Sequence, residues 1–322
     1  MKGFRIKIWI IIFGLLLLGI KGWQEWESRG EGFRLHKIQS FPDYDPRWDI
    51  SFTRADLKKT TDALSQPYRY FGHGFQCYVF ISQDEKYVLK FFRHQRLRLP
   101  KVIMAIPSFP LFDEWRKKRL LALSRRKDYL LRSCKTAWDL AKEENILLMV
   151  HLNTTEGLFP KVEIKDPLGN RYLIDLDKYQ FMLQRKAEHV KSVLTSLMQE
   201  GKVDEAKKHI DAIFDFFTHC AKRGIQDHDG ALIRKNNLGF FEGKAIYIDG
   251  GKLAPRKAPC SKKAFLKDIK RLGPLRKWLE ETYPELAQHF QTTWKASVCV
   301  VADMNKPPVA LVEPLIATPS PS

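Results

Sequence analysis

The sequence has few cysteines, and none of them has a paired spacing. Its five cysteines lie far apart with no CxxC pair and no zinc-binding pattern, and its nine histidines form no HExxH motif. These absences exclude a disulfide framework, a structural zinc site and a protease of the HExxH class, and they favour a reducing compartment. The chain also has no internal repeat, which excludes a solenoid.

No early apolar run reaches the roughly 20 residues that a membrane-spanning helix needs. The N-terminal run Ile8–Ile20 follows three basic residues, ends at Lys21, and has the length of a signal-peptide core. No small-x-small cleavage site follows, and Lys7 and Lys21 could snorkel and extend the span to Phe4–Trp23. The sequence favours an uncleaved signal anchor over residues 1–23, with a cleaved signal peptide and a buried helix as alternatives.

The predicted anchor makes membrane lipid the first expected partner and the protein a single-pass membrane protein. Basic residues before the run predict a cytoplasmic N-terminus, with the bulk of the chain on the other side. That topology conflicts with the reducing compartment favoured by the cysteines. The sequence does not decide on which side of the membrane the rest of the chain lies.

Negative charge is scarce compared with positive charge. Asp and Glu number 37 against 55 Lys and Arg, which gives a formal net charge of +18. Such a surface attracts nucleic acid, anionic lipid or phosphorylated ligands. The basic residues are scattered through 90–135, 185–223 and 252–277. This distribution favours a generally basic or membrane-facing surface over specific nucleic-acid binding.

Apolar patterning predicts strands first and helices later. Strands are expected at 68–71, 77–82 and 87–92, helices at 112–125 and 133–150, a hairpin at 162–164 and 172–175, and a strand at 178–186. A helix with one apolar face from Val203 to Cys220 should end at Gly224. Short strands at 238–241 and 245–248 should precede helices at 261–272, 274–282 and 284–296.

This order of elements predicts an α+β fold with two lobes. A β-rich N-lobe is expected over 66–190 and a mostly helical C-lobe over 191–300, with a cleft between them. The anchor at 1–23 and a polar connector at 24–65 come before the lobes. The Pro- and Ser-rich end, 301–322, is expected to be a disordered tail.

Two groups of motifs carry the candidate chemistry. The first is the glycine turn Gly72-His-Gly74-Phe-Gln-Cys77-Tyr-Val79, followed by Lys90 on an apolar strand. A glycine turn and a strand lysine can cover and pair phosphates.

The second group is a set of turns next to apolar segments. It comprises Gly224-Ile-Gln-Asp227-His-Asp229, then Asn237, then Ile248-Asp249-Gly-Gly251. Carboxylate and amide oxygens are ligands that suit Mg²⁺. Together the two groups predict a site for a divalent cation and a phosphate.

Over about residues 66–296 the order of motifs and elements resembles the protein-kinase-like superfamily, in a divergent bacterial form with an N-terminal membrane anchor. The resemblance implies a two-lobed protein-kinase-like fold that uses ATP and Mg²⁺. It departs from the family pattern in three places. Cys77 stands at the third glycine, the Asp229–Asn237 spacing is long, and Gly250 replaces the phenylalanine of the metal-binding turn.

The resemblance also implies roles for individual residues. Gly72, Gly74, Cys77, Val79 and Lys90 would bind the nucleotide, and Glu143 would pair with Lys90, with Glu144 as the next candidate. Asp229 would orient the acceptor hydroxyl, Asp227 would brace the loop by hydrogen bonding, and Asn237 and Asp249 would hold Mg²⁺. Since Cys77 would lie near the Lys90 ammonium, its thiolate form should be favoured.

The implied function is transfer of the ATP γ-phosphate to an acceptor that the sequence does not name, either a protein hydroxyl or a lipid-linked sugar or small molecule. The alternative is a catalytically inactive pseudokinase that serves as a membrane-anchored binding module. A basic membrane-tethered scaffold without a nucleotide site is a third option.

Overall fold

The structure, a computed structural model, describes residues 32–39, 44–99, 101–107, 110–228, 232–234, 236–249, 252–258 and 260–302. The predicted anchor at 1–23 and nearly all of the predicted tail at 301–322 lie outside these residues. Within the described ranges the helices are α1 Arg54–Leu64, α2 Lys101–Ala105, α3 Pro110–Ala141, α4 Val190–Gln199, α5 Val203–Lys222, α6 Lys262–Ile269, α7 Gly273–Thr282 and α8 Pro284–Ala302. The strands are β1 Tyr68–His73, β2 Cys77–Ser82, β3 Tyr87–Phe92, β4 Leu147–His151, β5 Lys161–Lys165, β6 Arg171–Asp175, β7 Phe181–Arg185, β8 Glu188–His189, β9 Ile225–Asp227, β10 Leu238–Phe241, β11 Lys244–Tyr247 and β12 Leu253–Pro255.

The first part of the described chain forms a mixed sheet in the order β4-β7-β3-β2-β1-β5-β6. All neighbours in it are antiparallel except β1 and β5, which are parallel. Successive side chains of a strand point to opposite faces, so each central strand contributes to two cores. On β3, Leu89 and Phe91 pack on one face, whereas Phe92 packs on the other.

The outer face of this sheet is covered by the chain that precedes it. Phe33 is 1% exposed and packs edge-on against Tyr78 and Phe80, with ring centroids 5.2 and 5.3 Å apart. Helix α1 begins in a capping box of Thr53 and Asp56. The segment predicted as a polar connector, 24–65, thus differs from that prediction in its described part, because it supplies core residues.

The inner face of the sheet packs against the helical part of the chain. Helix α5 buries the predicted apolar face, with Ala206, Ile210, Ile213, Phe217 and Cys220 all inside the inner core. The helix stops before Gly224, whose φ of 69° suits glycine. Two small sheets, β11-β10-β8 and β12-β9, complete this half. The described chain is therefore α+β, as predicted, and is compatible with two lobes.

One predicted pair of helices is wrong. A single helix, α3, replaces the helices predicted at 112–125 and 133–150, and the residues after Ala141 turn into strand β4. The Asn145 side-chain amide donates to the Ala141 carbonyl at 2.8 Å, and Ile146 has a φ of 45°, which breaks the helical path. Strand β4 is buried on both faces, so its residues form a continuous apolar run without a two-residue period.

None of the helices in the described residues is long and apolar enough to cross a membrane.

Candidate functional site

Strand β3 places Lys90 on the inner face of the sheet. Lys90 lies between Val79 on β2 and Met182 on β7, and it is 9% exposed. The ammonium group of Lys90 consequently points towards the helical half of the chain, on the same face as Phe92.

The backbone of Ile248 joins Lys90 to the second group of motifs. Lys90 Nζ donates to the Ile248 carbonyl at 2.7 Å, and the Ile248 amide donates to the Asn237 carbonyl at 2.9 Å. Asp249 is the next residue in the chain. The Lys90 ammonium group and the Asn237 backbone carbonyl thus both contact the backbone of Ile248, next to Asp249, although Lys90 and Ile248 are 158 residues apart.

The glycine turn between β1 and β2 lies at an exposed tip of the sheet. The Gly74 amide donates to the Cys77 carbonyl at 2.9 Å, and Arg93 Nη1 donates to the Gly74 carbonyl at 2.8 Å. Phe71 and Phe75 on either side are 56% and 62% exposed. A Cβ atom at Gly72 or Gly74 would meet nothing within 4 Å, so the open space beside this turn could admit a ligand.

Cys77 does not have the predicted thiolate character. Burial and the Asp249 carboxylate raise the pKa of the half-buried Cys77 thiol to about 12, against the opposing effect of Lys90 and Arg93. Burial also raises the pKa of Cys134 on α3, and the charges of Asp249 and Lys90 act on that thiol too. The prediction is wrong because desolvation outweighs the nearby cations. The two thiols, Lys90 and Asp249 occupy one neighbourhood.

Glu143, the predicted partner of Lys90, lies elsewhere. It is exposed in the turn after α3 and lines a cavity of about 860 Å³ together with Arg185 and Phe241. Lys90 pairs with Met182 on β7, and Met182 pairs with Val150 near the C-terminal end of β4. Glu143 precedes the N-terminal end of β4. The structure does not bring Glu143 to Lys90, because the residues around it are a turn and not the helix expected from the sequence.

Glu144, the next candidate, serves a different contact. Its carboxylate is buried, and Oε1 accepts from His219 Nε2 at 2.9 Å and from Arg223 Nη1 at 2.6 Å. Its backbone carbonyl accepts from the Tyr247 amide at 2.8 Å. Glu144 therefore ties the turn after α3 to α5 and β11.

Asp227 is a buried hydrogen-bonding side chain at the end of β9. Arg271 Nη1 donates to Asp227 Oδ2 at 2.9 Å and to the Asp227 carbonyl at 2.7 Å. The neighbouring amide, that of His228, donates to the Lys252 carbonyl at 3.0 Å. These contacts fix Asp227 and His228 to Arg271 and Lys252. Asp229, the predicted base, lies outside the described residues.

Asn237 and Asp249 are the described residues that could contribute oxygen ligands to a cation here. The backbone N–H of Asn237 donates to the Leu232 carbonyl at 2.8 Å, which closes the turn before β10. Asn236 has a φ of 54°, a left-handed conformation that asparagine tolerates. Among the described residues no group of three or more His, Cys, Asp and Glu side chains could hold a metal ion. A carboxylate and an amide oxygen suit Mg²⁺, which keeps several of its waters in protein sites.

Sequence reasoning missed two residues of this region. A Cβ on Gly239 would lie 2.5 Å from the Glu188 carbonyl and 2.7 Å from Ile248 Cδ1, so β8 and β10 approach each other through this glycine. An isolated glycine in a strand is the signal that could have indicated it. Arg93, which is 9% exposed and lies over the Tyr78 ring at 4.8 Å, follows β3 directly. No motif marks it.

No protein-family model and no curated protein matches the chain.

Proposed function

We propose that the protein is a membrane-tethered, kinase-like phosphotransferase. It uses ATP and Mg²⁺ to phosphorylate a hydroxyl of a protein, a lipid-linked sugar or a small molecule. The observation that carries the proposal is the backbone of Ile248, immediately before Asp249: its carbonyl accepts from Lys90 Nζ and its amide donates to the Asn237 backbone carbonyl. A phosphate-pairing lysine and two cation-binding oxygens must converge in such a site.

The order of strands and helices supports the same proposal. Three antiparallel strands with a glycine turn, a long helix and five further strands, β4 to β8, precede a helical half. In that half, Asp227 ends the short strand β9, Asn237 directly precedes β10, and Asp249 follows β11. This succession is the one that the protein-kinase-like resemblance implies.

The residues present fit a nucleotide and a cation. Lys90 would act as a point charge on phosphate oxygens, which are stronger acceptors than the neutral Ile248 carbonyl that it contacts. Asn237 and Asp249 would hold Mg²⁺, which supplies charge neutralisation during phosphoryl transfer. Gly72 and Gly74 would leave room for the backbone to cover the phosphates, with Cys77 and Val79 beside them. Asp229 would accept the proton of the acceptor hydroxyl.

A pseudokinase with the same fold is the second candidate, and a specific observation favours it. Lys90 is buried and donates to a backbone carbonyl, and α3 directs Cys134 towards the neighbourhood of Lys90 and Asp249. Among the described residues no glutamate carboxylate forms the ion pair with Lys90 that the resemblance implies. Such a site could bind nucleotide without turning it over.

Thermal melting with ATP and Mg²⁺ tests the shared part of both candidates. A ligand at 100 times its Kd stabilises the folded state by about 2.7 kcal/mol. We expect a raised Tm for the wild-type chain, no shift for Lys90→Met, and a normal shift for Lys86→Met. Lys86 is a matched control because it is exposed in the turn before β3. An unchanged wild-type Tm at millimolar ATP would contradict both candidates.

Turnover then separates the two candidates. The active-enzyme proposal predicts transfer of labelled γ-phosphate to an acceptor in a membrane extract. Asp229→Asn should abolish that transfer while the ATP-dependent Tm shift remains, because a base acts on the acceptor and not on nucleotide affinity. A Tm shift without phosphate transfer in any fraction would favour the pseudokinase.

A further inference from the structure

The first half of helix α3 has almost no buried side chains. Every residue from 114 to 122 is exposed except Arg116, which is half-buried, and Leu123 is the first buried residue. Further along the helix, Leu130, Leu131 and Cys134 enter the inner core. At 1.5 Å per residue α3 is about 48 Å long, so its first half offers a long surface to a partner.

One line of this surface combines aromatic and basic side chains. Trp115, Ala122 and Tyr129 recur at seven-residue steps, so they lie along one line of the helix. Trp115 is 46% exposed and Tyr129 is 52% exposed. The side chains three and four positions after Trp115 and after Ala122 flank this line on both sides, and all four are exposed and basic: Lys118, Arg119, Arg125 and Arg126. We call these seven residues the aromatic–basic stripe.

The positive charge of the stripe is not neutralised by acids of the same helix half. Asp113 pairs with Arg116, Glu114 with Lys117 at 3.3 Å, and Asp128 lies 4.0 Å from Arg47. These three acidic side chains of α3 therefore pair with basic residues that are not part of the stripe. A row of aromatic side chains between basic ones suits the interface of an anionic bilayer, where Trp and Tyr sit at headgroup level and Lys and Arg meet lipid charge.

The path of the chain brings a bilayer within reach of this helix. The Gly32 carbonyl accepts from the Tyr78 hydroxyl at 2.5 Å, and Arg98 Nη2 donates to the His36 carbonyl at 3.0 Å. The start of the described chain therefore lies against the segment that leads to α2 and α3. The apolar run Ile8–Ile20 ends twelve residues before Gly32, which an extended chain spans in at most about 43 Å. That reach is comparable with the length of α3.

We propose that the aromatic–basic stripe docks on the surface of an anionic phospholipid bilayer. The same helix carries Cys134 beside Lys90 and Asp249, so docking would hold the candidate site at a fixed position relative to lipid headgroups. Nucleic acid would also meet the basic side chains. The proposal commits to lipid because the stripe has apolar side chains along its centre and the apolar run lies within reach. It does not depend on nucleotide binding.

The test places an environment-sensitive fluorophore on the stripe of the full-length chain. Ala122→Cys in a Cys77→Ser/Cys299→Ser background would carry the label, because Cys299 is exposed and Cys77 is half-buried, whereas Cys134, Cys220 and Cys260 are buried. We expect at least a twofold rise in emission with phosphatidylcholine vesicles that contain 30% phosphatidylserine, and little change with phosphatidylcholine alone. Since the Debye length falls to roughly 4 Å at 0.5 M salt, added KCl should reverse most of the rise.

Two charge-reversal variants, one in the stripe and one outside it, complete the test. In the stripe, Lys118→Glu/Arg125→Glu should abolish the response to anionic vesicles. Lys262→Glu/Lys263→Glu, which makes the same change in net charge at two exposed residues around the start of α6, should leave it intact. An equal response to neutral vesicles, no response to either vesicle, or a rise with single-stranded RNA in place of vesicles would each overturn the proposal.

Discussion

Burial has the largest effect on the pKa of the Cys77 thiol, and the charges of Asp249 and Lys90 modify it in opposite directions. Burying a charge is costly unless other groups compensate it. Lys90 meets the Ile248 carbonyl, and both Lys90 and Asp249 act on Cys77, with opposite signs. Burial and Asp249 raise the pKa of Cys77, whereas Lys90 lowers it. The alkylation rate of Cys77 therefore reports directly on this part of the candidate site.

We expect Asp249→Asn to speed alkylation of Cys77, because removal of the carboxylate lowers the pKa of the thiol and only the thiolate reacts. Lys90→Met should slow it, because removal of the ammonium raises that pKa. Below the pKa of about 12, the wild-type rate should rise about tenfold per pH unit. Mass spectrometry of the Cys77 peptide between pH 8 and 10 measures the rates, with exposed Cys299 as the reference. Equal Cys77 rates in all three proteins would show that neither charge lies near the thiol.

The sequence predicted from the order of its motifs that Lys90, Asn237 and Asp249 lie close together, and the structure places Lys90 and Asn237 on the backbone of Ile248, next to Asp249. The sequence could not predict what surrounds them. Asp227 depends on Arg271, which lies on a separate element, and no spacing rule connects the two. Glu143 was chosen because the helix predicted at 133–150 was expected to include it, whereas α3 ends at Ala141. An error in the predicted end of a helix changes the direction of every side chain after the true end.

At the scale of elements, the contact between β8 and β10 depends on a glycine. His189 pairs with Gly239 and Glu188 pairs with Phe240, which ties the chain leaving the large sheet to the helical half. A Cβ on residue 239 would meet a backbone carbonyl and the Ile248 side chain. The backbone cannot move aside as a flexible side chain can, so this position tolerates no side chain without separation of the strands.

Gly239→Ala should destabilise the protein by about 1–3 kcal/mol, the usual effect of overpacking. Gly273→Ala is the control, because that glycine lies at the start of α7 with open space around its Cβ position and a φ of −49°. We expect the control to be neutral or to stabilise by about 0.4–1 kcal/mol. Urea unfolding of both variants provides the comparison. Equal unfolding midpoints would contradict the close approach of β8 and β10.

Most elements could be predicted from their apolar pattern, since α5 has one apolar face and β2 and β3 are short apolar runs between turns. Strand β4 could not, because its apolar run follows α3 closely and was included in the predicted helix 133–150. The core residues of the segment before β1 were not predicted, for another reason. Its apolar residues are sparse, and only the tertiary fold brings Phe33 and Ile38 to the sheet. Local pattern cannot reveal a contact that depends on distant strands.

The described part of the molecule is organised around two cores that share one sheet. The inner core joins the sheet to the helices, and the outer core lies between the sheet and the chain before it. Among the described residues, α1 is the helix that packs on the outer core, and together with Phe33 and Ile38 it covers part of that core. The stability of the candidate site therefore depends on a segment that lies far from it in sequence, because β3 contributes to both cores.

Two truncations separate the contribution of this cover from that of everything before it. A chain that begins at Gly32 keeps Phe33, Ile38, Ala63 and Leu64 of the outer core, and also Trp48 and Ile50, which pack in the inner core. A chain that begins at Gln66 loses all six, each less than 10% exposed. Burial of one such side chain stabilises by about 1.5–3 kcal/mol, so their joint loss approaches the 5–15 kcal/mol that holds a typical domain together.

We expect the chain from Gly32 to show a cooperative thermal transition and the chain from Gln66 to show none, with exposed apolar surface detectable by dye binding. Both chains lack residues 1–31, so any difference between them comes from 32–65 alone. Circular dichroism melting provides the measurement, and the Phe33→Ala variant of the longer chain should fall between the two, about 3–5 kcal/mol less stable than its parent. A chain from Gln66 that melts cooperatively at the same temperature would show that the sheet needs no cover on its outer face. The outer core would then make no contribution to the position of Lys90.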